Sequence, residues 1–121
     1  MANAFAGAVE FRWDNGTVGI VARGSGSIAH TPAGNQCIQN IQSIGTSAEA
    51  IAFGDVAPGY IFFKNLDDTN YVDLGVENTA VTPVVIRLKA GESTLLPTNN
   101  ASWWAKANTA GIDLQVVACD A

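Results

Sequence analysis

Ile112-Asp113-Leu114-Gln115-Val116-Val117-Ala118-Cys119 is the stretch that decides the fold. Successive side chains of an extended strand point to opposite faces. Ile112, Leu114, Val116 and Ala118 therefore share one apolar face, and Asp113, Gln115, Val117 and Cys119 share the other. Pro83-Val84-Val85-Ile86-Arg87-Leu88-Lys89 repeats the period, with Val84, Ile86 and Leu88 inward and Val85, Arg87 and Lys89 outward. Residues 70–75 do the same, placing Val72 and Leu74 on one face and Tyr71 and Asp73 on the other. Tyr60-Ile61-Phe62-Phe63 is apolar on both faces, as in a central strand covered on both sides.

Turn chemistry separates these segments at strand-length intervals. Asp14-Asn15-Gly16, Pro58-Gly59, Asp67-Asp68-Thr69-Asn70, Gly91, Pro97-Thr98-Asn99-Asn100 and Thr109-Ala110-Gly111 supply residues that preset a turn or tolerate positive φ. Asn15-Gly16 between apolar segments predicts a hairpin of residues 5–13 with residues 17–22. Residues 24–34 read as an exposed, Gly-rich loop. A strand over 36–44 carries Ile38, Ile41 and Ile44 at a spacing of three, which calls for a bulge or a short helical turn. Residues 49–53, 93–96 and 102–107 complete the strands. About nine strands and no sustained helical stripe predict one domain over residues 1–121, an all-β, two-sheet antiparallel sandwich of jelly-roll-like or Greek-key order.

Composition restricts the function. Only 14% of the 121 residues are charged and 48% are hydrophobic, with a net charge of −5. The exterior must be built from Asn, Thr, Ser, Gly and Ala, a surface that loses little hydration when a partner docks. Arg12, Arg23, Lys64, Arg87, Lys89 and Lys106 are scattered, so little counterion release is available to drive phosphate binding. Nucleic acid and anionic membranes are not expected partners. No apolar run approaches the ~20 residues of a membrane span. Met1-Ala2-Asn3-Ala4-Phe5 lacks the features of a secretory leader, which predicts synthesis without Sec export. Cys37 and Cys119 are then expected to stay reduced as small apolar side chains, a disulfide requiring oxidising conditions.

Nothing in the sequence assembles a catalytic centre, and no enzyme is expected. His30 is the single histidine, so no two-histidine metal site exists. Asp67, Asp68 and Asp73 match no calcium-loop spacing, and Asp in a turn ordinarily caps local amides. Ser25 lies in Gly24-Ser25-Gly26 without the strand-turn-helix context of a nucleophile elbow. No metal or cofactor is expected. The residues that invite a role are those able to bind a protein. Trp103 and Trp104 are adjacent on a strand, so one should enter the core and the other face outward, as an interface anchor or a platform for a sugar ring. Trp13 and Phe5 in the first strand, with Arg87 and Lys89, complete the interface candidates.

Pro58-Gly59-Tyr60-Ile61-Phe62-Phe63-Lys64-Asn65-Leu66-Asp67-Asp68-Thr69-Asn70-Tyr71-Val72-Asp73-Leu74-Gly75 resembles a segment of small virion-associated proteins of tailed bacteriophages. Val85-Ile86-Arg87-Leu88-Lys89-Ala90-Gly91-Glu92, Trp104-Ala105-Lys106-Ala107 and Gln39-Asn40-Ile41-Gln42-Ser43-Ile44-Gly45-Thr46 are similar to the same group. The resemblance covers about the last two-thirds of the chain and leaves out the first hairpin. It implies a β-sandwich component of the particle, assembled in the host cytoplasm. A chain of this size beginning at Met1 without a coiled-coil stalk suits a capsid decoration or cement protein. Such proteins typically form homotrimers on the major capsid protein where shell subunits meet. A tail, baseplate or fibre-associated module is the close competitor, and a carbohydrate-binding module using an outward tryptophan stands further off. Residues before Phe5 and the segment 24–34 are the parts expected to order on binding.

Overall fold

A computed structural model describes residues 5–14, 19–30, 36–100 and 102–120, the first two ranges as backbone alone. It is all-β, with no helix among the described residues. One domain over residues 1–121 is expected; the contacts within the chain gather into two compact units, Met1–Ala33 and Gly34–Ala121.

The first unit is an antiparallel pair, β1 (Phe5–Asp14) and β2 (Gly19–His30). Trp13 lies opposite Ile20 and Phe5 opposite His30, with a register shift between Ala8 and Glu10. The predicted hairpin partners are therefore present, while the Asn15-Gly16 turn lies outside the described residues. The expected loop over 24–34 is corrected over residues 24–30, since β2 continues to His30 and Ser25 and His30 are strand residues; residues 31–34 lie outside the described residues. Gly24, Ser25 and Gly26 fall at the register shift, between the Arg23–Glu10 and Ser27–Ala8 pairs, where glycine suits an irregular strand backbone.

The second unit contains β3 (Cys37–Ile44), β4 (Glu49–Ala50), β5 (Pro58–Asn65), β6 (Val72–Gly75), β7 (Ile86–Leu88), β8 (Ser93–Pro97), β9 (Trp104–Ala107) and β10 (Ile112–Asp120). Two four-stranded sheets result, in the orders β3-β10-β5-β8 and β4-β9-β6-β7. Every ladder is antiparallel. The pairing follows a simple rule: β3 takes β10, β4 takes β9, β5 takes β8 and β6 takes β7. This is a long hairpin rolled over itself, closed by the β10–β5 and β9–β6 contacts, and it defines a jelly roll.

Alternation fills the space between the sheets. Ile61 and Phe63 of β5, Val72 and Leu74 of β6, Ala105 and Ala107 of β9, and Leu114, Val116 and Ala118 of β10 are fully buried in one hydrophobic cluster. Residues of opposite parity face outward, which makes Tyr60 and Phe62 half-buried rather than covered on both faces. On β3 the register with β10 is unbroken from Cys37 to Ile44, so neither a bulge nor a helical turn accommodates the isoleucine spacing. Ile44 is buried, Ile38 packs partly on the core, and Ile41 necessarily points the other way, 60% exposed.

Two further expectations are corrected. The strand over 83–89 begins only at Ile86, and Val84, assigned inward, is 45% exposed. Ahead of it the chain from Val76 arches over Gly75, whose missing Cβ would lie 2.9 Å from the Pro83 carbonyl oxygen and 3.0 Å from Val81 Cγ1. The arch takes Ala80 and Val81 to positive φ, 50° and 54°. A β-branched residue adopts that region only when its surroundings hold it there, and the Val81 side chain is fully buried. The cysteines are the second correction. Cys37 and Cys119 lie directly opposite each other in the β3–β10 ladder, Cα atoms 4.1 Å apart, and form a disulfide. Their expected reduced state rested on the compartment and not on the register, which the sequence does not display.

Candidate interaction surface

Trp103 and Trp104 divide as the strand rule requires. Trp103 is 3% exposed and packs its ring at 58° to that of Phe63, centroids 5.7 Å apart. Its Nε1–H donates to Thr98 Oγ1 at 3.2 Å, satisfying the one polar atom such a ring takes into a core. Trp103 is thus a core anchor, and its place among the interface candidates is corrected. Trp104, half-exposed on the outer face of the second sheet, sits between Ala50 of β4 and Gly75 of β6. Ala50 is small, whereas on the Gly75 side the arch through Val81 and Pro83 already covers the sheet.

The next row of the same face is charged. Asp73 stands between Lys106 of β9 and Arg87 of β7. Arg87 grips Asp73 in a fork, Nε to Oδ1 at 2.7 Å and Nη2 to Oδ2 at 3.0 Å. Its guanidinium carbon lies 4.0 Å from the centre of the Tyr71 ring, a cation–π contact. The hydrogen bond to Asp73 holds the Arg87 pKa above its ordinary value. Pinned by a carboxylate and a ring, Arg87 presents one orientation to a partner, at less entropic cost than a mobile arginine. Lys89 is exposed beyond the strand end, its amide donating to Glu92 Oε1 at 2.7 Å as part of the turn. Val84 and Val85, 45% and 53% exposed, rim this side. Next to them a recess of about 600 Å³ opens between Val76, Val85, Leu96, Asn99 and Asn100, with Trp103 at its wall.

Phe5 and Trp13 fall in β1, where the side chains are outside the described residues, as is the side chain of His30 in β2. The Asp67 carboxylate accepts from the amides of Thr69 at 3.0 Å and Asn70 at 2.6 Å, and Asp68 from the Thr69 hydroxyl at 3.0 Å. Those bonds to backbone amides hold the Asp67 pKa below its ordinary value. The aspartates are thus engaged in turn and strand contacts, Asp73 with Arg87. Among the described residues no three His, Cys, Asp or Glu side chains converge as for a metal, and no helix is long and apolar enough to cross a membrane. The chemistry this surface offers is shape, one fixed cation and apolar area.

Asn65 escaped the sequence reading. It is the fully buried polar side chain among the described residues, at the end of β5. Its inward place follows from the strand parity it shares with buried Ile61 and Phe63, which the unbroken apolar run before Lys64 conceals in the sequence. No family model, no curated protein and no solved structure matches this chain.

Proposed function

We propose that the chain is a structural protein of a tailed-phage virion, and most concretely a capsid decoration protein that binds assembled shells and stabilises them by bridging subunits of the major capsid protein. The observation that carries this reading is the pairing of a sparsely charged exterior, 14% charged residues in all, with outward apolar side chains at Trp104, Val84 and Val85 beside the fixed Arg87–Asp73 pair. Such a surface is suited to permanent cover: few ions lose hydration, and apolar area leaves water. The resemblance over 58–75 and 85–92 directs the reading to a phage particle. Binding that is confined to the closed shell shifts assembly toward it by mass action, and a homo-oligomer repeats each weak contact, gaining avidity.

On this reading the protein is made in the host cytoplasm and the Cys37–Cys119 bond closes when the particle meets oxidising surroundings. A tail or fibre position uses the same surface and is the competing proposal. Mixing the purified protein with heads that lack it, then sedimenting, tests the head reading: saturable, stoichiometric co-sedimentation supports it, and protein left wholly in the supernatant rejects it.

A further inference from the structure

The four sheet edges of the jelly roll are not alike. β4 has 2 residues, β7 has 3, and β8 closes on Pro97, which has no amide hydrogen. Short strands and proline are how proteins blunt an edge that would otherwise recruit another strand. β3 has neither device. It runs for 8 residues, Cys-Ile-Gln-Asn-Ile-Gln-Ser-Ile, without a charge, a proline or a break in register.

The hydrogen-bond parity of this edge can be read from its neighbour. The Asp120 amide donates to the Gln36 carbonyl, so even-numbered residues of β10 and β3 face each other. The Leu66 amide donates to the Asp113 carbonyl, so odd-numbered residues of β10 face β5. Cys37, Gln39, Ile41 and Ser43 consequently aim their backbone N–H and C=O groups away from the sheet, and among the described residues no other strand pairs with them.

We propose that this edge pairs with β3 of a second copy, antiparallel about a two-fold axis, joining two four-stranded sheets into one. The register that uses all of these residues places Gln39 opposite Ile41 of the second copy and Cys37 opposite Ser43, with Asn40 meeting itself on the axis. Every facing pair is then neutral. That matters for a chain of net charge −5, because two copies approach without like charges opposed only along an uncharged strip. The contact is isologous and closes at two copies. It is independent of the virion reading and departs from the threefold assembly that the resemblance implies.

Sedimentation equilibrium with amide hydrogen exchange on the full chain tests it. The expected species has about twice the 12.6 kDa chain mass, with the Gln39, Ile41 and Ser43 amides protected. Ile41→Pro deletes an outward donor and leaves every β3–β10 hydrogen bond in place, so it should give a folded monomer. Asn40→Lys, which sets two cations against each other on the axis, should do the same and serves if the proline variant does not fold. A monomer or trimer, freely exchanging amides at these positions, or a dimer that survives Asn40→Lys overturns the proposal.

Discussion

Asn65 of one sheet is hydrogen-bonded to Leu88 of the other: its Nδ2 donates to the Leu88 carbonyl at 3.1 Å from a fully buried position. The same nitrogen donates to the Asn70 carbonyl at 2.8 Å, and Oδ1 accepts from the Asp67 amide at 3.0 Å. One side chain therefore fixes the turn between β5 and β6 and the end of β7 on the second sheet. Asn65→Leu keeps the volume but strands these backbone groups, and each buried unpaired group costs about 1–3 kcal/mol. The denaturation midpoint should fall by the equivalent of about 3 kcal/mol.

Gly75 permits the arch of residues 76–85 to rest on the second sheet. A methyl group at 2.9 Å from the Pro83 carbonyl oxygen must push backbone, not a flexible side-chain tip. Gly75→Ala should destabilise by about 1–3 kcal/mol, read by thermal unfolding, and should lower shell binding through Val84 and Val85.

The two tryptophans should separate cleanly. Trp103→Ala empties a core site against Phe63 and is expected to cost about 3–5 kcal/mol of stability. Trp104→Ala should leave the unfolding midpoint within about 1 kcal/mol of the parent and reduce partner binding instead, measured by co-sedimentation.

Acid should weaken the fold through Asp67. Its folded pKa is lowered by the Asn70 and Thr69 amides, so its stabilisation is complete above the unfolded value of about 4 and is lost as pH falls through the lower folded value. Between those two limits stability should decline with falling pH. Asp67→Asn should flatten that decline, followed by urea midpoints across the range.

The disulfide closes a loop with a sequence separation of 82 residues. Restricting the unfolded chain by a loop of that length stabilises by about 4 kcal/mol in the chain-entropy account. The Cys37→Ser, Cys119→Ser double variant should lose stability of that order, and the reduced parent should match it by urea unfolding.

Side-chain alternation in 112–119 and 70–75 made the jelly roll's inner strands legible, because burial on one face imposes period two on the sequence. Edges and arches were not legible. Val84 and Val85 look like strand residues until the chain is known to cross above Gly75, and Ile41 looks like core until an unbroken register turns it outward. The disulfide depends on Cys37 facing Cys119, a pairing between first and last strands of the sandwich that no local pattern encodes. Of the surface, parity alone put Trp103 and Trp104 on opposite faces but not which of them faces inward, and the Arg87–Asp73–Tyr71 cluster required knowing that β7 lies beside β6.

The account rests on this chain being a fixed part of a particle's head. Imaging intact particles at subunit resolution, with the chain located by a bound label, tests that most directly. Label at regularly repeated positions over the head shell is predicted; label confined to the tail, or absent from the particle, would contradict it.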